Sequence, residues 1–265
     1  MRMDYGLHID GEERDATTGE SPDVINPATL EVIGSAPDGN AADMESAISA
    51  ARDAYENEWR NWTGPERADA LRELADVVKD EHDDLVELET LENGKPLHES
   101  DRAVQAASNK SDFYAGAADK HHGETLPSGS DAFDVTVKEP YGVAGIIIPW
   151  NWPPMHVVDF LAPVLAGGNT AVLKPAPETP LSALKMAEMF ATVLPDGVFN
   201  VVSGGAEPGA ALTTSSEVNV LTFTGNSQTG TKVLEAASQN ITPVMLELGG
   251  KNAAIVFDDA DLDTV

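Results

Sequence analysis

Four clusters of residues in this 265-residue chain have types and spacings suited to chemistry. Pro149-Trp150-Asn151-Trp152-Pro153-Pro154 follows an apolar stretch, and the prolines fix Asn151 where a strand ends. A rigid amide donor there stabilises an oxyanion; the same residue could instead cap the next helix. Lys174 ends a second apolar run and precedes Pro175, so its ammonium meets either a cofactor hydroxyl or phosphate, or water. In the third cluster, Val220 to Thr224 leads into Gly225-Asn226-Ser227-Gln228-Thr229-Gly230 and then a helix. Paired glycines and a helix N-terminus suit a phosphate group, although a plain strand-to-helix turn reads the same way. It is neither a Gly-x-Gly-x-x-Gly nor a Walker loop. Last, Leu246-Glu247-Leu248-Gly249-Gly250-Lys251 places a carboxylate between leucines. Such a carboxylate could act as a general base, or alternation could turn it to water.

The surrounding pattern is that of an α/β layer protein. Tyr5 to Ile9 and Val32 to Ser35 read as short strands, with Asn26-Pro27-Ala28-Thr29 between them. After Asn40 the spacing of Ala47, Ile48, Ala51 and Tyr55 predicts a helix, and Thr63-Gly64-Pro65-Glu66 opens another with Leu71, Leu74, Ala75 and Val78 buried. Two more helices run to Leu91 and from about Glu99 to Ala118. Asp134 to Lys138 and Val143 to Ile148 read as two strands. From Ile146 onward strands and helices alternate: strands at Thr170 to Lys174, Val198 to Val202, Val220 to Thr224, Val244 to Leu248 and Ala253 to Phe257, with a helix between most of them. That rhythm predicts a mostly parallel sheet with helices on both faces and ligands at the carboxyl ends of its strands.

Composition narrows the function. With 45 acidic against 16 basic residues the net charge is −29, which repels nucleic acid and anionic lipid. The acids are spread along the chain, as expected of a uniformly acidic surface suited to a salt-rich cytoplasm. No apolar run reaches the roughly 18 residues of a membrane span, and Met1 to Glu12 does not read as a secretory signal, so a cytoplasmic protein is expected. The chain has no cysteine, hence no disulfide and no thiol nucleophile. It shows no Gly-x-Ser-x-Gly elbow, and His121-His122 beside Lys120 reads as a solvated loop rather than a metal site.

Taken together, Pro149 to Pro153, Leu173 to Pro180, Phe223-Thr224-Gly225 with Gly230, and Glu247 to Lys251 resemble the aldehyde dehydrogenase superfamily in order and spacing. Glu92-Asn93-Gly94-Lys95-Pro96-Leu97 and Asn26 to Thr29 extend the resemblance over essentially the whole chain. It implies an α/β fold with a Rossmann-like, mostly parallel sheet, helices on both faces and a short β-strand arm. Residues 1–265 would form the NAD(P)-binding region, interrupted by bridging strands over 130–148 that pair subunits into a homodimer or homotetramer. The implied reaction oxidises an aldehyde to a carboxylic acid with NAD or NADP, through a cysteine thiohemiacetal, hydride transfer and hydrolysis of a thioester. Asn151 then matches the oxyanion donor and Glu247 the general base. Lys174 matches the residue on the adenine ribose, and Gly225, Asn226 and Gly230 match the cofactor turn. Ile147, Pro149 and Trp150 match the cofactor wall, with Gly249 and Pro177 also falling at cofactor positions.

Two departures stand out. The family's cysteine lies well beyond the Glu247 to Lys251 motif, so the catalytic domain is expected to be absent here and these residues alone to be inactive. A non-catalytic dinucleotide-binding or subunit-pairing fragment is the alternative. Pro177 stands where many NAD-preferring members have a glutamate, with Glu178 one step later, which leaves NAD and NADP both open.

Overall fold

A computed structural model describes residues 3–263. Its strands are β1 (Leu7–Ile9), β2 (Glu12–Arg14), β3 (Asp23–Ile25), β4 (Val32–Ser35), β5 (Thr125–Leu126), β6 (Asp134–Val135), β7 (Val143–Ile147), β8 (Thr170–Lys174), β9 (Phe199–Val201), β10 (Val220–Gly225) and β11 (Val244–Leu248). Its helices are α1 (Ala41–Asn57), α2 (Gly64–Asp80), α3 (His82–Asn93), α4 (Leu97–Ala117), α5 (Pro153–Ala166), α6 (Leu181–Phe190), α7 (Ala206–Thr214) and α8 (Ser227–Ala237). Several starts are written in the sequence. Asn40 and Thr63 each close a capping box, with Asp43 and Glu66 reaching back to the cap. At the end of α3, Gly94 adopts φ +80°, and a Cβ there would also meet Pro27 Cγ at 2.6 Å.

Seven strands form one sheet in the order β11-β10-β7-β8-β9-β1-β2. The five from β11 to β9 are parallel, and β1 joins antiparallel to β9 through His8 and Val201. The central strands are buried on both faces, which explains their continuous apolar runs. On one face Ile146, Ile148, Leu173 and Val201 pack with residues of α2 to α6. On the other Val143, Val172 and Val202 pack with Met44 and Ile48 of α1 and Leu212 of α7. The mostly parallel, doubly covered sheet that the sequence implies is therefore present.

Three local expectations are corrected. The segment 130–148 is not one arm: only Asp134–Val135 pairs with Thr125–Leu126 in a separate two-stranded ribbon, whereas Val143–Ile147 is a central strand of the large sheet. Its two apolar faces belong to the core, which overrides any role in bridging. Of the strand expected over Asp134 to Lys138, only the first two residues pair. The strand expected over Ala253 to Phe257 is irregular, with Ile255, Val256 and Phe257 exposed. A β-branched run forms a strand only beside a partner, and none among the described residues lies next to it. Sequence reading also passed over β2, whose Glu12-Glu13-Arg14 has no apolar alternation, and β3.

Candidate active site

The strand order reverses between β7 and β10, since β8 and β9 lie on one side of β7 and β10 and β11 on the other. At such a switch point the loops leaving the carboxyl ends diverge and open a crevice. The crevice here is a cleft of about 540 Å³ lined by Pro149, Asn151, His156, Asp159, Phe160, Thr224, Gly225, Glu247, Leu248 and Gly249. The amide and the carboxylate singled out in the sequence, nearly a hundred positions apart, thus share one cleft. Asn151 does not cap α5: the cap position is Trp152, without a side-chain cap bond, and among the described residues the Asn151 amide has no hydrogen-bond partner. Glu247 is exposed on edge strand β11, so its leucine neighbours do not cover it.

A second cavity, about 370 Å³, opens between α7 and α8 and is lined by Ile147, Lys174, Gly209, Thr213, Thr229 and Lys232 among others. Lys174 is not a solvated lysine. It is buried, its Nζ donates to the Pro175 carbonyl at 3.0 Å, and burial pulls its pKa down to about 8 despite the nearby carboxylates of Glu178 and Asp38. A Cβ on Gly209 would sit 3.3 Å from Lys174 Cδ, so the absence of a side chain there keeps the space beside the ammonium open.

The turn after β10 joins these cavities. Asn226 caps α8, its Oδ1 accepting from the Thr229 N–H at 2.8 Å, which leaves the amide nitrogen available. Gly230 is buried on the inner face of α8, and a Cβ would lie 2.9 Å from Leu248 Cδ2, so glycine brings the helix close to β11. Trp150 and Pro177 go elsewhere. Both line a different cavity, about 520 Å³, shared with Glu92, Asn93 and strand β3, and Trp150 is 56% exposed.

Sequence reading missed two groups. His156 and Asp159, one helical turn apart on α5, line the cleft beside Asn151. Burial opposes ionisation of Asp159, but His156, with Nδ1 at 3.6 Å, and the paired Lys110 ammonium outweigh it and hold the carboxyl below its ordinary pKa. The spacing of His156 and Asp159 after Asn151 was the available signal. The other group is the end of α3. Glu92 is buried and its carboxylate accepts from the Leu181 and Ser182 N–H groups at 2.9 and 3.1 Å, capping α6 from outside. Glu89, fully buried, pairs with Lys95 at 2.6 Å. Burial raises both carboxyls to about 7. His121 and His122 are exposed. No helix among the described residues is long and apolar enough to cross a membrane.

Comparison with known proteins agrees with this fold. The profile of the Aldehyde dehydrogenase family matches residues 14–265. Aldehyde dehydrogenase 1 of Tanacetum cinerariifolium is 41% identical over 263 residues, covering 97% of this chain and 52% of that protein. Betaine aldehyde dehydrogenase of Bacillus subtilis is 40% identical over 265 residues, covering 98% of this chain and 54% of the relative. Among solved structures, a point mutant of betaine aldehyde dehydrogenase from Staphylococcus aureus in complex with NAD+ superposes with a TM-score of 0.93 at 39% identity, over 98% of this chain and 53% of that one. An NADP-dependent enzyme of E. coli gives 0.93 at 41%, over 98% of this chain and 55% of its own. This chain spans about half the length of the relatives it matches, and it belongs to the aldehyde dehydrogenase family.

Proposed function

We propose that these residues bind NAD or NADP and form the cofactor half of an enzyme that oxidises an aldehyde to a carboxylic acid. The observation that carries the reading is the meeting of an amide without a partner among the described residues, Asn151, and an exposed carboxylate, Glu247, in one cleft at the switch point of a parallel sheet. In it, Asn151 donates to the oxygen on which negative charge develops at the aldehyde carbon, and Glu247 accepts a proton from the attacking thiol or water. The residues present fit a dinucleotide: a buried, partly desolvated lysine faces a cavity kept open by glycine, next to a helix N-terminus. Lys174 would hold the adenine ribose; Gly225, Asn226 and Gly230 would surround the pyrophosphate. Ile147, Pro149 and Gly249 would complete the cofactor surface. The nicotinamide supplies a hydride acceptor when bound.

These 265 residues contain no cysteine, so on this reading they bind cofactor without turning over aldehyde, which also favours the second reading of a dinucleotide-binding or subunit-pairing module. The ribbon of β5 and β6, with Phe133, Val135 and Val137 exposed around it, would pair chains into a homodimer or homotetramer. Calorimetric titration with NAD and with NADP tests the proposal. Saturable binding of at least one of them, without oxidation of added aldehyde, is expected. Absence of saturable heat with both would overturn it.

We also propose a salt-rich cytoplasm as the working environment, because a net charge of −29 repels itself unless screened. The melting temperature should rise as ionic strength is raised from about 0.01 M, where the Debye length is about 30 Å, to about 1 M, where it is about 3 Å. A melting temperature indifferent to salt would count against this habitat.

A further inference from the structure

The Asn151 side chain is unpartnered among the described residues, yet the residues on both sides of it are tied to a single turn. Asn93 Nδ2 donates to the Trp150 carbonyl. Two residues on, the Lys95 ammonium sits 3.8 Å from the centroid of the Trp152 ring. That ammonium is itself fixed, because its partner Glu89 is fully buried at a Nζ to Oε1 distance of 2.6 Å. The turn cannot drift, since Gly94 is pressed against Pro27 and Glu92, one residue before Asn93, is bonded to the first turn of α6.

From this geometry we propose that Asn93 and Lys95 are positioning residues for Asn151: they clamp the backbone of the 150–152 loop from both sides so that its free amide points into the cleft. The inference rests on the reading of Asn151 as an oxyanion donor. Its physical basis is that such a donor acts through preorganisation. An amide held by its own side-chain bonds would have to break them on meeting a substrate, whereas one held only by its backbone neighbours is rigid and still available. Packing alone does not account for the arrangement. A fully buried carboxylate with one oxygen, Oε2, lacking a hydrogen-bond partner is a poor way to fill a core, but it places a cation against Trp152.

The test is nuclear magnetic resonance on this chain without cofactor, so that it is independent of the titration that decides whether dinucleotide binds. Wild type is compared with Asn93→Asp, which is isosteric but presents no donor to the Trp150 carbonyl, and with Lys95→Met and Lys95→Arg. In wild type the backbone order parameter at Asn151 should match that of β7, about 0.85. In Asn93→Asp and Lys95→Met it should fall below about 0.6, while β7 and β8 keep their values. The Asn151 side-chain amide signals, identified by their loss in Asn151→Asp, should shift from their wild-type positions in the same two variants. Lys95→Arg, which keeps the cation on the ring, should restore both. Because Lys95→Met leaves Glu89 without its partner and could unfold the chain, Asn93→Asp, which disturbs no buried ion pair, decides in that event. Unchanged order and unchanged amide signals in folded Asn93→Asp would overturn the proposal, whatever happens to the melting temperature.

Discussion

Raising the pH from about 5 to about 7.5 should lower the unfolding free energy of this chain by several kcal/mol, with Glu89 and Glu92 as the main specific sources. Both are buried at the end of α3, with carboxyl pKa values raised from 4.5 to about 7, first by burial. For Glu89 the Lys95 ammonium pulls the other way; for Glu92 the bonds to Ser182 and Leu181 do so, while the neighbouring Glu89 charge adds to burial. A group whose folded pKa lies above its unfolded one binds more protons when folded, so stability falls as pH rises between the two values. At ~1.4 kcal/mol per pH unit the displacement is worth about 3 kcal/mol for each carboxyl. Ionisation of the many surface acids acts in the same direction and is screened by salt. Glu92→Gln keeps an acceptor near Leu181 and Ser182 and removes the titration. Urea unfolding at pH 5 and 7.5 in high salt should therefore show a smaller pH effect in Glu92→Gln than in wild type. An identical pH dependence in the two would refute the assignment.

The second large effect is a separation of stability from binding at Lys174. Burial holds its pKa near 8, so below that pH the folded chain carries a desolvated ammonium whose one hydrogen bond among the described residues is to the Pro175 carbonyl. A lysine with a depressed folded pKa loses stability on protonation, and that loss is relieved as pH rises from about 8 to 10.5. Lys174→Met fills the same space without charge and should raise the unfolding free energy at pH 7 by about 2 kcal/mol. The same change should weaken dinucleotide binding at least ~10-fold, the loss of one charge-assisted hydrogen bond. Urea unfolding and calorimetry on one preparation measure both. A variant that is stabilised but binds as tightly as wild type would remove Lys174 from the proposed cofactor site.

Much of the frame was legible because its signals are local. Val143 to Ile148 and the interior of Thr170 to Lys174 are apolar on both faces, and a short run of that kind between helices has few other solutions than a central parallel strand. Asn151 and Glu247 were legible for a related reason: each sits at or just past the carboxyl end of a parallel strand, and topology brings those ends together. What stayed hidden depends on distant partners. Ala253 to Phe257 has strand composition but no neighbour to pair with, while Glu12 to Arg14 lacks strand composition and pairs with β1 all the same. The Glu89 and Lys95 pair reads as two surface charges near a helix end until the packing of α3 against α4 and α6 buries it. The pairing of Asn93 with Trp150 spans 57 positions and leaves no periodic trace.

The antiparallel seat of β1 on β9 sets an order of events in time. Residue 8 is matched to residue 201, and the Asp10 N–H is received by Asn200 Oδ1 at 2.9 Å. A ribosome adding roughly 5–20 residues per second needs about 10–40 s between making the two halves of that contact. The hairpin of β1 and β2 therefore waits, with the other edge of β1 unfilled, while everything between it and β9 is synthesised. This hairpin, although made before β9, joins the sheet late, and the nascent chain passes through a long interval in which one edge of β1 is open.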